Sequence, residues 1–144
     1  MGVGVLIALD RRLVSVRRSD LESYAESVWV EIRCKRQERI LVGVFYFPPQ
    51  VSPEEFSNYL SDISDTVNEL GSCKCVILGD FNAPGINWES LNISTSNFYI
   101  SRKCTLLSNF ADFSGLTQQN AIRNHQGNVL DLCFSNTAST SVTR

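Results

Sequence analysis

An aspartate and an asparagine stand two residues apart in Ile77-Leu78-Gly79-Asp80-Phe81-Asn82, directly after an apolar run. Side-chain oxygens at the carboxyl end of a strand can orient a water, hold a hard cation, or do both. In open α/β sheets ligands bind outside those strand ends, and Gly79 lets backbone or ligand approach closely. The same residues equally satisfy an Asx-turn, in which Asp80 and Asn82 serve only loop backbone groups. A second candidate is Tyr46 in Tyr46-Phe47-Pro48-Pro49, again at a strand end. Its hydroxyl can donate to a phosphate oxygen; aromatic packing beside prolines is the alternative. The third is Asp131, which interrupts the apolar run Val129–Phe134. A carboxylate buried there must be hydrogen-bonded or paired, usually as the orienting partner of a His or Arg; otherwise it is a strand-edge residue facing solvent.

The elements that must position these residues are mostly strands in the first third. Gly2–Leu9 is a continuous apolar and β-branched run, and Leu13–Arg17 alternates more weakly. Ser27–Cys34 alternates cleanly, with Val28, Val30 and Ile32 on one face and Trp29, Glu31 and Arg33 on the other. Ile40–Phe47 follows the charged turn Lys35–Arg39, so the two runs predict a hairpin. Pro48 and Pro49 end it, since neither donates to a ladder. A helix then opens with Ser52 at the N-cap, Pro53 in its first turn and Glu55 completing a capping box. Phe56, Leu60, Ile63, Val67 and Leu70 recur at helical spacing, and Gly71 supplies the stop. Cys75–Leu78 reads as a short buried strand, followed by a loop from Gly79 to about Asn97. A second helix over about Ile100–Ser114 is expected to turn Leu106, Leu107, Phe110 and Phe113 inward and to stop at Gly115. Leu116–Gln119 and Val129–Phe134 are the last predicted strands, and Ser135–Arg144 reads as a small, polar tail that frays.

The chain has 144 residues, 43% of them hydrophobic and 10% aromatic, which excludes a disordered segment and fits one domain. Thirteen basic and fifteen acidic residues leave a net charge of -2, so no global basic field marks a nucleic-acid binder. Arg11-Arg12, Arg17-Arg18 and Lys35-Arg36 with Arg39 cluster at turns, where they meet either phosphates or only solvent. The five cysteines are odd in number and lie mostly in apolar runs, the pattern of reduced, largely buried thiols. The apolar opening lacks a basic leader and is too short to span a bilayer, so an intracellular location, nuclear or cytoplasmic, and no membrane partner are expected.

Taken together and in order, these segments resemble the endonuclease/exonuclease/phosphatase superfamily, the fold of pancreatic deoxyribonuclease. They are most similar to the endonuclease domain of non-LTR (LINE-type) retrotransposon polyproteins. The resemblance rests on Gly2-Val3-Gly4-Val5-Leu6-Ile7, Glu26-Ser27-Val28-Trp29-Val30, Val42 to Pro49, Val76 to Pro84, Asn87-Trp88, Gly115-Leu116-Thr117-Gln118 and Gly127 to Leu132. It implies a partial four-layered α/β sandwich with mixed, mainly antiparallel sheets and flanking helices. It also implies Mg²⁺- or Mn²⁺-dependent hydrolysis of DNA phosphodiesters. In that pattern Tyr46 donates to the scissile phosphate. Asp80 and Asn82 orient and deprotonate the attacking water and can contact the metal, while Asp131 holds a catalytic histidine in its tautomer.

The departures from the pattern matter equally. The family places a metal-binding Glu and an Asn upstream of the Gly-rich opening, and a Ser-Asp-His element downstream of the Leu-Asp-Leu strand. The single histidine, His125, precedes that strand and reads as a surface loop residue. Residues 1–136 are therefore expected to be a domain truncated at both ends, inactive alone, with one sheet face uncovered, and 137–144 a tail. A non-catalytic relic or binding module is the competing reading. So is another superfamily phosphoesterase, such as an RNA deadenylase, inositol phosphatase or sphingomyelinase.

Overall fold

The computed structural model describes residues 4–23, 26–138 and 140–142. Six strands form one mixed sheet: β1 (Val14–Arg17), β2 (Glu26–Arg33), β3 (Arg39–Tyr46), β4 (Lys74–Asp80), β7 (Thr117–Gln118) and β8 (Asp131–Ser135). Their spatial order is β1-β2-β3-β4-β8-β7. Every pairing is antiparallel except β3 with β4, whose parallel run requires the crossover supplied by α1 (Pro53–Glu69). A two-residue hairpin, β5 (Ile86–Asn87) and β6 (Asn92–Ile93), stands apart in the long loop before α2 (Phe98–Phe113). The mixed α/β class and the mainly antiparallel sheet match the expectation from sequence; of the layers of a four-layered sandwich the described residues supply one main sheet and one helical layer.

The start of α1 forms as its residues dictate. Ser52 Oγ accepts from the Glu55 N–H at 3.2 Å, and the Glu55 carboxylate accepts from the Ser52 N–H at 3.2 Å. Gly71 closes the helix end at φ 58°, a conformation glycine takes without a Cβ penalty. Phe56, Leu60, Ile63 and Val67 are buried. α2 begins two residues earlier than predicted, capped by Asn97 Oδ1, which accepts from the Ile100 N–H at 3.1 Å.

Its inward face also differs from the prediction. Leu107 and Phe110 are buried and Leu106 is half-buried, but Phe113 is 75% exposed. The stripe that faces the core is Lys103, Cys104, Leu107, Phe110 and Ala111. At 3.6 residues per turn, Phe113 lies roughly 120° around the helix from that stripe's centre.

Both helices pack on one face of the sheet, around Trp29, Leu41, Phe45, Cys75, Ile77, Leu132 and Phe134. An aromatic series runs through this core: Trp29–Phe45 at 5.3 Å between ring centroids, Phe45–Phe47 at 6.0 Å, Phe47–Phe81 at 5.1 Å and Phe81–Phe134 at 5.4 Å. Within β2 it is therefore the Trp29–Glu31 side that faces the helices. The opposite face carries Val28, Val42, Val44, Val76 and Leu78, all partly exposed. Glu31, buried at the far end of the helix-covered face, meets Arg18 at 3.1 Å, Arg33 at 3.4 Å and Arg39 at 3.6 Å.

The predicted opening strand is not observed. Gly2 and Val3 lie outside the described residues, and residues 4–9 take no strand conformation, with Leu6 84% exposed. An apolar run becomes a strand only where a neighbour completes its ladder, and among the described residues β1, the adjoining edge, pairs with β2 alone. The cysteines are free thiols, with Cys75, Cys104 and Cys133 buried. Burial pushes the Cys75 thiol up to about 12, with the neighbouring Cys73 adding to the effect.

Phe47 is fully buried and its ring meets those of Phe45, Phe56, Tyr59 and Phe81. Phe47→Ala is expected to cost about 3–5 kcal/mol, read as a lower midpoint in urea unfolding. Ser52→Ala, which removes only the cap, is expected to cost about 1 kcal/mol.

Candidate functional site

Strand register brings three of the four candidates into one row. Tyr46 on β3 is paired with Asp80 on β4, and Asp80 with Asp131 on β8. On the other side Tyr46 is paired with Glu26 of β2. Directly paired residues share a face with Cβ atoms about 4.5–5.5 Å apart, so a glutamate, a tyrosine and two aspartates stand abreast on four adjacent strands. They occupy the face opposite the helices. Sequence reasoning did not select Glu26 as a site residue, because register is a property of the folded sheet and leaves no local signal.

Asn82 lies two residues past the row, held with φ 46°, a backbone conformation in which asparagine is enriched. Asp80 Oδ1 accepts from the Asn82 N–H at 3.0 Å, so the Asx-turn weighed from sequence is formed. It does not exhaust the pair. Asn82 Nδ2 donates to the Phe47 carbonyl at 2.8 Å, which fixes the amide and leaves its Oδ1 as the acceptor turned away from that bond. The Phe47 N–H in turn donates to the Asp80 carbonyl at 2.9 Å.

Gly79 explains how the two strands come this close. Its φ is +154°, and a Cβ built there would lie 2.0 Å from the Phe45 carbonyl oxygen. Gly79→Ala is expected to cost at least ~2 kcal/mol through backbone displacement, and to shift the amide resonances of Tyr46 and Asp80 in NMR spectra.

Burial raises the Asp80 carboxyl above its ordinary range; the Asn82 backbone N–H opposes this, Asp131 adds to it, and Lys103 opposes it. A cation beside Asp80 and Asp131 would relieve that repulsion, and the carboxylate and amide oxygens suit a hard ion that keeps most of its waters. Among the described residues no group of three or more His, Cys, Asp or Glu forms a complete metal site. Asp80 and Asn82 offer oxygen donors of the kind a hard cation takes, short of a full coordination set.

Asp131 is exposed. His125 is exposed in a turn whose backbone N–H groups, those of Gln126 and Asn128, donate to Asn124 Oδ1. The basic clusters are largely answered by neighbouring carboxylates: Arg12 by Asp10, Arg17 by Glu22, and Arg18 by Asp20. Arg39 begins β3 and Tyr46 ends it, so at about 3.3 Å per residue the Lys35–Arg39 turn lies roughly 23 Å from the row. Among the described residues no helix is long and apolar enough to cross a membrane.

Three solved structures share this architecture. The endonuclease domain of TRAS1, a telomere-specific non-LTR retrotransposon, superposes with a TM-score of 0.64 at 19% identity, covering 87% of this chain and 56% of that one. The human Nocturnin catalytic domain, solved with bound sulfate, gives 0.54 at 15% identity, covering 86% and 47%. A Bacteroides thetaiotaomicron mannosyl-6-phosphatase gives 0.52 at 13%, covering 78% and 43%. The chain spans about half the length of each. The fold is that of the endonuclease/exonuclease/phosphatase superfamily. Within it, residues 40–143 match the model of the Endonuclease-reverse transcriptase family, and the chain belongs to that family. No curated protein matches the chain.

The raised Asp80 carboxyl fixes the sign of a pH effect. Between the ordinary aspartate range near 3.8 and its folded value, the native state binds the proton more tightly, so stability falls as pH rises through that window. Asp80→Asn keeps an acceptor for the Asn82 N–H and removes the charge. Urea midpoints measured against pH are expected to lose that downward slope, and the variant is expected to be the more stable protein at neutral pH.

Proposed function

We propose that these 144 residues are part of a Mg²⁺-dependent phosphodiesterase domain that cuts DNA, and that they provide the side of the site that faces the attacking water. The observation that carries the reading is the row Tyr46–Asp80–Asp131 with Asn82 fixed just beyond it. Asp80 is placed to take the proton of the attacking water, in register between Tyr46 and Asp131 and bonded to the Asn82 N–H. The free amide oxygen of Asn82 orients that water. Tyr46 donates its hydroxyl to a non-bridging phosphate oxygen, and Asp131 positions a donor for the leaving side. Asp80 and Asn82 would hold the cation, which supplies charge neutralisation at the phosphate.

Within this sequence the only imidazole is the exposed His125, and the carboxylates at hand form only a partial metal site. The proposal therefore includes low activity for the 144 residues by themselves. Losing one transition-state donor typically costs about 10²–10³ in rate.

The test is nicking of supercoiled plasmid in Mg²⁺ against EDTA. It compares the 144-residue chain with a form extended at both ends to the length of the structural neighbours. The extended form is expected to nick in Mg²⁺ only, with Asp80→Ala lowering the rate at least ~10²-fold and Tyr46→Phe about 10-fold or more. Vigorous EDTA-sensitive nicking by the short chain would show that the groups named as missing are dispensable. Indifference of the extended form to Asp80→Ala would remove Asp80 from the mechanism.

A further inference from the structure

A second feature lies beside the row and is not used by it. Lys103, on the inward stripe of α2, is 2% exposed, and its ammonium has no hydrogen-bond partner. Its ammonium lies over the face of the Phe56 ring, 5.0 Å from Nζ to the centroid. A lysine ammonium has three donors, and leaving them all unmet in an apolar setting is costly. Burial accordingly lowers the Lys103 ammonium below its ordinary range, opposed by Cys104 and Asp80. An anion reaching Nζ would supply the partner that its donors lack.

The surroundings indicate which anion. Lys103 lines a cavity of about 410 Å³ with Pro49, Pro53, Asn82 and Tyr99 among its walls. Of the residues that line this cavity Lys103 alone carries a charge, so the charge for a ligand here comes from Lys103. Tyr99, one helical turn before Lys103, is 67% exposed, and its ring meets the equally exposed Phe98 edge-to-face at 5.9 Å. A cation at the back of a groove with an unburied aromatic at its mouth is the pairing that holds single-stranded nucleic acid, phosphate on the charge and base on the ring.

We propose that this groove is a single-strand nucleic-acid subsite, in which Lys103 takes a backbone phosphate and Tyr99 stacks on the neighbouring base. The four-carbon stem of Lys103 lets the ammonium swing from the Phe56 ring into the cavity when the phosphate arrives. Asn82 lines the same cavity, so the subsite abuts the end of the strand that carries Asp80. The inference takes from the proposed function only that the ligand is a nucleic acid.

The test is binding of a fluorescein-labelled oligothymidylate by anisotropy, in EDTA, over a range of salt concentrations. Lys103→Met is expected to lower the slope of log affinity against log salt by about 0.7, one single-strand phosphate contact. Tyr99→Ala is expected to weaken binding about ten-fold at every salt concentration and leave the slope unchanged. An unchanged slope in Lys103→Met, or unchanged affinity in Tyr99→Ala, overturns the proposal. Should Lys103→Met fail to fold, the unmodified protein decides by NMR. The Lys103 side-chain resonances are expected to shift on adding the oligonucleotide and not on adding inorganic phosphate at equal concentration. Equal shifts with inorganic phosphate would make this a free-anion site and overturn the nucleic-acid assignment. Binding in EDTA requires no turnover, so its failure leaves the nicking result for Asp80→Ala standing, and the converse holds.

Discussion

Three contacts join the end of β3 to the end of β4. The Phe47 N–H donates to the Asp80 carbonyl, the Phe47 carbonyl accepts from Asn82 Nδ2, and the Phe47 and Phe81 rings meet at 5.1 Å. Each of these residues is flanked by, or is itself, a candidate site group, so packing and chemistry share the same few atoms. Because side chains alternate along extended chain, Phe47 and Phe81 enter the core while Tyr46 and Asp80 point to the other face. Gly79 is the condition for this arrangement, since any side chain there would strike the Phe45 carbonyl. The core does not merely support the site; its central aromatic contact sets the spacing of the residues that project from the sheet.

That coupling explains which parts were legible in the sequence. Local signals were fully expressed. The Ser52–Glu55 capping box, Gly71 at the end of α1, and the alternation of β2 and β3 all appear in the fold at or near the expected residues. Tyr46, Asp80 and Asp131 were recognisable as strand-end or strand-interrupting polar residues. What sequence could not supply was register, and so the presence of Glu26 in the same row went unseen. Phe113 was misplaced because its hydrophobicity outweighed its angle around the helix. The stripe through Lys103 and Cys104 was readable from helical period, but a lysine on it ran against the usual sorting of charge to the surface. The Gly2–Leu9 run was misread for another reason. An apolar run specifies compatibility with a sheet, and only a pairing neighbour turns it into a strand.

The two faces of the sheet have separate tasks. One is filled by α1 and α2 and carries the aromatic series; the other carries partly exposed valines and the polar row. In the structural neighbours this chain accounts for about half of the length. Polar groups at the ends of a sheet are held firmly only where the strands beneath them are packed on at least one side, and here the helix-covered side provides that stiffness. The groove at Lys103 belongs to the helical layer and the row to the sheet, and Asn82 is where the two meet.

The far end of the sheet is built differently. There a single buried carboxylate, Glu31, answers three guanidinium groups from β2, β3 and the segment after β1. Removing one partner of a buried ion pair leaves the other uncompensated, and groups in one network do not contribute independently. The effects of substitutions at the four positions are therefore coupled. A protein without Glu31 would leave the half-exposed Arg33 and Arg39 without that carboxylate, while Arg18 would keep Asp20. One that lost its arginines singly would keep the carboxylate paired until the last. The cost of a substitution at position 18, 31, 33 or 39 thus depends on which of the other three are in place, at the end of the sheet away from the candidate active-site row.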